Sequence, residues 1–151
     1  MKVLIILGSE SDIEITRGCG ELLDRFQIPY KQEISSAHRQ PDKTSRIVKE
    51  AEEKGIEVII AAAGMAAHLP GVVASLTTLP VIGVPLPGSA LSGIDSLYSI
   101  VQMPAGIPVA CMAVGSHGAR NAAVLAAEIL ALKDSSLKTR LRAYREELSA
   151  E

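Results

Sequence analysis

Aromatic residues are almost missing from this chain: there is no tryptophan, one phenylalanine and three tyrosines among 151 residues. Proteins that hold single-stranded nucleic acid stack the bases on aromatic rings, and such a platform cannot be assembled here. An excess of positive charge is missing as well. Fifteen Lys and Arg against seventeen Asp and Glu leave a formal net charge of −2, too balanced for a chain whose main partner is a phosphate polymer. No nucleic-acid partner is expected. Nor is a membrane, because the apolar runs fall well short of the ~20 residues that a spanning helix needs. Cysteine is scarce: Cys19 and Cys111 lie in apolar sequence without metal-ligand spacing. A single disulfide is open to them, but free buried thiols of a reducing compartment are the better reading. Met1-Lys2 runs straight into VLIIL and GSESD without a small-residue cleavage site, and a cytoplasmic location is expected.

What is present is a globular composition. Hydrophobic residues make up 48% and charged residues 21%, which excludes a disordered chain, and the length suits one domain spanning 1–151. Strand-like and helix-like segments alternate along it. Lys2–Leu7 is a continuous aliphatic run ended by Gly8, and Asp12–Arg25 is a helix whose apolar side is expected to carry Ile13, Leu22, Leu23 and Phe26. Tyr30–Ser35 reads as a more polar strand near an edge. Pro41 then opens an amphipathic helix that stops at Gly55, as proline at the first helical position favours. Glu57–Ala62 is apolar throughout, the pattern of a strand covered on both faces. A helix around Leu69–Leu76, a strand at Pro80–Val84, a helix at Ser92–Val101 and a strand at Pro108–Ala113 follow, with helices at Arg120–Leu132 and Asp134–Leu148 closing the chain. Strict β-α alternation implies a parallel sheet with helices on both faces. The expected fold is α/β: a flavodoxin-like three-layer αβα sandwich with five parallel strands in the order 2-1-3-4-5.

Asn121–Leu132 (NAAVLAAEILAL) is apolar on most of its circumference, with Glu128 its only charge. An outer helix of a small sandwich should carry a polar stripe. Burial against another subunit is therefore expected, and the high mean hydropathy of +0.26 agrees; the other reading is that the final helix, 134–148, covers it, packing on its own domain or on a neighbour.

Ligands of open α/β sheets bind outside the carboxyl ends of the strands, near the switch in strand order. Three strings lie there: GSESD (8–12), SSAHR (35–39) and AAGMAAHLPG (62–71). In the first, backbone amides and the hydroxyls of Ser9 and Ser11 suit a phosphate or ribose, with Asp12 accepting from ribose hydroxyls; Ser11 or Asp12 could instead cap the following helix. In the second, the Arg39 guanidinium fork matches phosphate, together with nearby serines such as Ser36. Its neighbour His38 is then free for the reactive end of a ligand, as histidine carries protons near neutral pH; a loop histidine with no chemical task is the other reading. In the third, small residues around Gly64 let backbone approach a ligand closely. His68 there is either a second polar contact or, the favoured reading, a residue that caps or packs at a helix start. His117 receives no role, and Met65, Met103 and Met112 are expected to fill core or interface. His38, His68 and His117 are not spaced as a metal cluster, and neither GxxxxGK[ST], GxGxxG after the first strand, nor GxSxG occurs, so neither a metal nor an organic cofactor is expected. A flavin-carrying electron-transfer protein would need rings beside the isoalloxazine, and Phe26, Tyr30, Tyr98 and Tyr144 all lie outside the three loops.

Taken in order, GSESD, SAHRQPD, AAHLPG, LPVIGVP, ALSGIDSLYSIVQMPAGIPVA and NAAVLAAEIL closely resemble the N5-carboxyaminoimidazole ribonucleotide mutase family of purine biosynthesis, also called the catalytic subunit of phosphoribosylaminoimidazole carboxylase. The resemblance runs from about Val3 to Leu132. It implies a flavodoxin-like sandwich, a homo-octamer with active sites at subunit contacts, and a small nucleotide as substrate. It implies His38 as the catalytic histidine and Ser9, Asp12 and Arg39 as substrate-binding residues. Ser11 and Ser36 would lie near the phosphate, and Ala63, Gly64 and His68 would face the imidazole and the migrating carboxyl. Ala62 and Met65 stand where the family commonly has glycine, and Leu86–Ser89 departs from the commoner polar sequence. A second class carboxylates the unmodified aminoimidazole with CO2 directly and typically carries a different loop where this chain has GMAAHLPG, which points to the mutase class.

Overall fold

The computed structural model describes residues 1–150. Five strands, β1 (Val3–Leu7), β2 (Tyr30–Ile34), β3 (Val58–Gly64), β4 (Val81–Leu86) and β5 (Ala110–Cys111), form one sheet in the order β2-β1-β3-β4-β5. Every pairing is parallel. Six helices join and cover them: α1 (Asp12–Arg25), α2 (Pro41–Lys49), α3 (Leu69–Ala74), α4 (Ile94–Val101), α5 (Ser116–Ala131) and α6 (Ser135–Ala150).

Alternation along the strands divides the interior into two cores, because successive side chains point to opposite faces. Val3, Ile5 and Leu7 join Val58, Ile60 and Ala62 under α1, α5 and α6, whereas Leu4 and Ile6 join Ile59, Ala61 and Ala63 under α2 and α3. β1 and β4 are thus buried along their whole length and β3 as far as Ala63, and their carboxyl ends are fixed from both sides. β2 is half exposed, in keeping with its polar sequence and edge position.

Several boundaries differ from the sequence reading, each for a local reason. Helix α4 begins at Ile94 rather than Ser92, because Ser92 (φ 52°) and Gly93 (φ 90°) are left-handed. β5 shrinks to two residues that pair only with Ile82 and Gly83; Pro108 lacks the N–H that would extend the ladder. Ile13 is exposed instead of lying on the core side of α1. At 3.6 residues per turn it points roughly 100° from the centre of the buried stripe of Thr16, Cys19, Leu23 and Phe26.

The larger correction concerns α5. Its apolar surface is used up inside the chain: Ala119, Ala122, Ala123, Ala126, Ala127 and Leu130 are buried between the sheet, α1 and α6. Alanine makes this possible, since small side chains let helices approach closely. Helix α6 lays Leu137 and Leu141 into the same core, so the expectation of burial against another subunit fails for this helix. An apolar face lies instead on and before α4, where Leu91, Ile94, Tyr98 and Val101 are each at least half exposed. Cys19 is buried and Cys111 half-buried, and both are free thiols; burial pushes the Cys19 thiol up to about 12.

Candidate functional site

The loops after β1, β2 and β3 converge on one cleft of about 480 Å³ at the carboxyl edge of the sheet, a size that suits a small-molecule ligand. All eight residues singled out from sequence (Ser9, Ser11, Asp12, Ser36, His38, Arg39, Gly64 and His68) line it. His117 does not; it lies in the first turn of α5.

The β1 loop is held together by its own polar groups. The Ser9 amide donates to Asp12 Oδ2 at 3.0 Å, and the Ser11 hydroxyl donates to Ser9 Oγ at 3.0 Å. The amides of Ser11, Asp12 and Ile13 are engaged within the same turn. The loop therefore offers a ligand hydroxyls and a carboxylate more than free amides. Neither Ser11 nor Asp12 caps α1 through its side chain. Burial raises the Asp12 carboxyl above its ordinary value, partly offset by the hydrogen bonds from the Ser9 amide and the Ser11 hydroxyl.

The β2 loop is anchored from below. Ser35 and Thr44 are fully buried, and their hydroxyls meet at 2.8 Å. Above them, the Ser36 hydroxyl accepts from the Arg39 amide at 3.2 Å and from Arg39 Nε at 3.4 Å. This orients the guanidinium. Among the described residues no carboxylate lies within ion-pair distance of Arg39, so its charge and its outer nitrogens face the cleft uncommitted. That is the state in which a guanidinium can take a phosphate in a two-pronged grip.

His38 meets His68 across the cleft. His38 Nε2 lies 2.6 Å from His68 Nδ1, with the rings nearly perpendicular and their centroids 4.7 Å apart. One nitrogen must donate and the other accept, so the contact links the tautomers of the two rings. His68 is the N-cap residue of α3, as a helix-start position was expected to be, but its side chain makes no capping hydrogen bond and is exposed to the cleft instead of packing.

The β3 loop is the tightest. The Ala67 amide donates to the Gly64 carbonyl at 3.0 Å, enclosing Met65 at φ 56°, with Ala67 itself at φ 39°. Positive φ at the second residue of such a turn is usually left to glycine. For other residues the left-handed region costs about 1–2 kcal/mol. Gly64 has a steric reason: a Cβ there would sit 3.3 Å from the Leu86 carbonyl oxygen. Met65 is 63% exposed at the cleft, not core filler.

Sequence reasoning passed over Leu69 and Gly88, which also line the cleft. Gly88 follows β4, the fourth carboxyl end, and applying the strand-end rule there would have found it. No Phe, Tyr or Trp side chain lines the cleft, and among the described residues no three His, Cys, Asp or Glu side chains gather as a metal site. No described helix is long and apolar enough to cross a membrane.

Comparison with known proteins agrees with this geometry. The family model described as AIR carboxylase matches residues 2–151. A Pyrococcus abyssi protein named N5-carboxyaminoimidazole ribonucleotide mutase is 54% identical over 147 residues, 97% of this chain and 83% of its own length. The Escherichia coli K12 protein of the same name is 52% identical over 144 residues, 95% of this chain and 85% of its own. A crystal structure of Treponema denticola PurE superposes with a TM-score of 0.88 at 31% identity, covering 98% of this chain and 91% of that one. With a family model spanning nearly every residue and relatives identical at more than half their aligned positions, this chain belongs to the AIR carboxylase family.

Proposed function

We propose that the chain is a cytoplasmic isomerase of purine biosynthesis that interconverts N5-carboxyaminoimidazole ribonucleotide and 4-carboxy-5-aminoimidazole ribonucleotide. The observation that carries this reading is the convergence of a proton-carrying pair, His38 and His68, with an uncommitted phosphate-binding group, Arg39, on one cleft. The names of the curated relatives supply the substrate.

Arg39 and Ser36 hold the phosphate, with the Ser9 and Ser11 hydroxyls nearby. Asp12 accepts from ribose hydroxyls, which favours the nucleotide over a free base. The base then lies toward His38, His68 and the small residues Ala63 and Gly64. The bond between N5 and the carboxyl carbon breaks, CO2 leaves, and the bonding electrons stay on N5, which takes a proton from His38. The freed aminoimidazole is enamine-like, so C4 is nucleophilic. Its electron pair forms the new bond to CO2, and C4 then loses its proton to His38. One proton is given and one is recovered, and the histidine ends as it began. His68 holds the His38 ring in the orientation both transfers need. Acid–base assistance of this kind contributes typically ~10²–10⁴-fold, and keeping CO2 beside C4 adds the gain of a preassembled reaction partner.

His38→Asn should bind the nucleotide nearly as tightly as the wild type while turnover stops; comparable turnover would refute the role. Direct carboxylation of aminoimidazole ribonucleotide is the competing reaction. An assay with that compound and bicarbonate, run beside one with the carboxyamino nucleotide, separates the two, and faster product formation from the former would overturn the isomerase reading.

The proposed assembly is a homo-octamer. Two observations support subunit burial at α4: the exposed Leu91, Ile94, Tyr98 and Val101, and the buried Asp95 Oδ1, which has no hydrogen-bond partner among the described residues. Patches of this kind are covered in stable proteins, and a buried carboxylate oxygen calls for a donor. Sedimentation at micromolar concentration should give an octamer; a monomer would refute it.

A further inference from the structure

We infer that Met65 is the cover that keeps CO2 inside the cleft between the two halves of the reaction, an inference that rests on the isomerase reading above. CO2 is small, uncharged and a poor hydrogen-bond acceptor, so the serines, Asp12 and Arg39 cannot retain it; an apolar wall must. The apolar part of the cleft is made of short side chains, chiefly Ala37, Ala63, Ala66 and Ala67. None can reach across an opening. Leu69 is long enough but is almost fully buried. Met65 is the one long apolar side chain of the lining that stands free, 63% exposed. An unbranched thioether chain adapts its shape to what lies beneath it.

The backbone gives a second, independent indication. Met65 holds φ 56° at the second residue of a turn closed by the Ala67 amide and the Gly64 carbonyl. A glycine would adopt this conformation without strain. An exposed side chain held in such a conformation, beside a ligand cleft, is where strain points to a task for that side chain.

The test follows the carboxyl carbon. Carboxyl-¹³C N5-carboxyaminoimidazole ribonucleotide is turned over in unlabelled bicarbonate by the full-length wild type, Met65→Gly and Met65→Leu. The label remaining in the product and the free aminoimidazole ribonucleotide released are then read by mass spectrometry. The wild type and Met65→Leu should keep most of the label. Met65→Gly should lose roughly 10-fold more label per turnover, with matching release of the decarboxylated nucleotide, because the trapped partner is no longer held at high effective concentration. Its thermal midpoint should equal or exceed that of the wild type, because glycine relieves the left-handed strain. Label retention by Met65→Gly at the wild-type level would overturn the role of Met65 while leaving the isomerase reading standing. A fall in its thermal midpoint would also overturn the role, assigning Met65 to packing. Wholesale loss of label by the wild type would overturn the isomerase reading and the cover together.

Discussion

Replacing Thr44 by valine probes how the His38 loop is held. Thr44 and Ser35 are both fully buried. Thr44 Oγ1 donates to the Gln40 carbonyl at 3.2 Å, which leaves its lone pairs to accept from the Ser35 hydroxyl at 2.8 Å. The direction of this chain sets unequal costs. In Thr44→Val the Ser35 O–H is buried with no acceptor, a loss of about 1–3 kcal/mol. In Ser35→Ala the Thr44 proton still reaches Gln40, so only one bond is lost, about 0.5–1.5 kcal/mol. The Gln40 carbonyl keeps the Thr44 amide at 3.0 Å in every variant. Adding Ser35→Ala to Thr44→Val removes the orphaned donor, so the double variant should be at least as stable as Thr44→Val alone. For a chain of this size the thermal midpoint of Thr44→Val should fall by roughly 2–12 °C. Equilibrium denaturation of all four forms at unchanged m-value gives the coupling. Strictly additive losses, or a harmless Thr44→Val, would refute the assigned direction. The loop carries His38 and Arg39, and displacement of such groups by about 1 Å can cost 10²-fold in rate; turnover should therefore track stability across the cycle.

Two further predictions concern the scaffold. Gly83→Ala would place a Cβ 2.5 Å from Ile100 Cγ2 and 2.8 Å from Val109 Cγ1, an overpacking worth about 1–3 kcal/mol; thermal unfolding should show it, and an unchanged midpoint would mean that α4 slides freely. Glu57 pairs with Lys133 and Lys2 at the end of the sheet remote from the cleft, and the hydrogen bonds from these two side chains, aided by their charges, hold its carboxyl below the ordinary value. A depressed carboxyl contributes stability above its unfolded pKa and loses it as pH falls through the folded one. Glu57→Gln should thus be less stable than the wild type at pH 7, by about 0.2–1 kcal/mol per exposed pair, with the difference closing below about pH 4. A deficit that is the same at pH 3 and pH 7 would refute the linkage.

The fold was legible because its strands are buried on both faces: Val3–Leu7 and Val58–Ala63 are unbroken apolar runs that nothing else explains. The cleft was legible because in a parallel sheet all strand ends of one polarity meet at one edge, so reading after each strand found the polar groups without knowing their geometry. What sequence could not supply was direction. Ser35 and Ser36 are neighbours of one type, yet the first is a buried strut and the second a cleft-lining acceptor for Arg39, because successive residues after a strand point to opposite sides. His68 is the helix-start residue that its sequence suggests; only the fold shows that its ring turns to His38 instead of capping or packing. Met65 looked like filler because a single sequence does not display φ. Helix α5 misled for a related reason: circumferential apolarity reports burial but not which element supplies it.

The meeting of His38 and His68 follows from the strand order itself. In the arrangement β2-β1-β3 the loops after the second and third strands flank the loop after the first. Neighbouring strands lie about 4.8 Å apart, which sets the ends of β2 and β3 roughly 10 Å from each other. That gap is too wide for backbone contact, and two imidazoles reaching inward can span it. They do so at 2.6 Å. The Gly8 amide donates to the Ala62 carbonyl at 3.0 Å, which ties the start of the middle strand's loop to β3. The order 3-2-1, which also occurs among doubly wound sheets, would set β3 directly beside β2 and move the β1 loop, with Ser9 and Asp12, out from between the two histidine loops. The meeting of the two imidazoles above the β1 loop is thus a consequence of topology, with the two cores on either face of the sheet fixing the height and tilt of each strand end from which the side chains project.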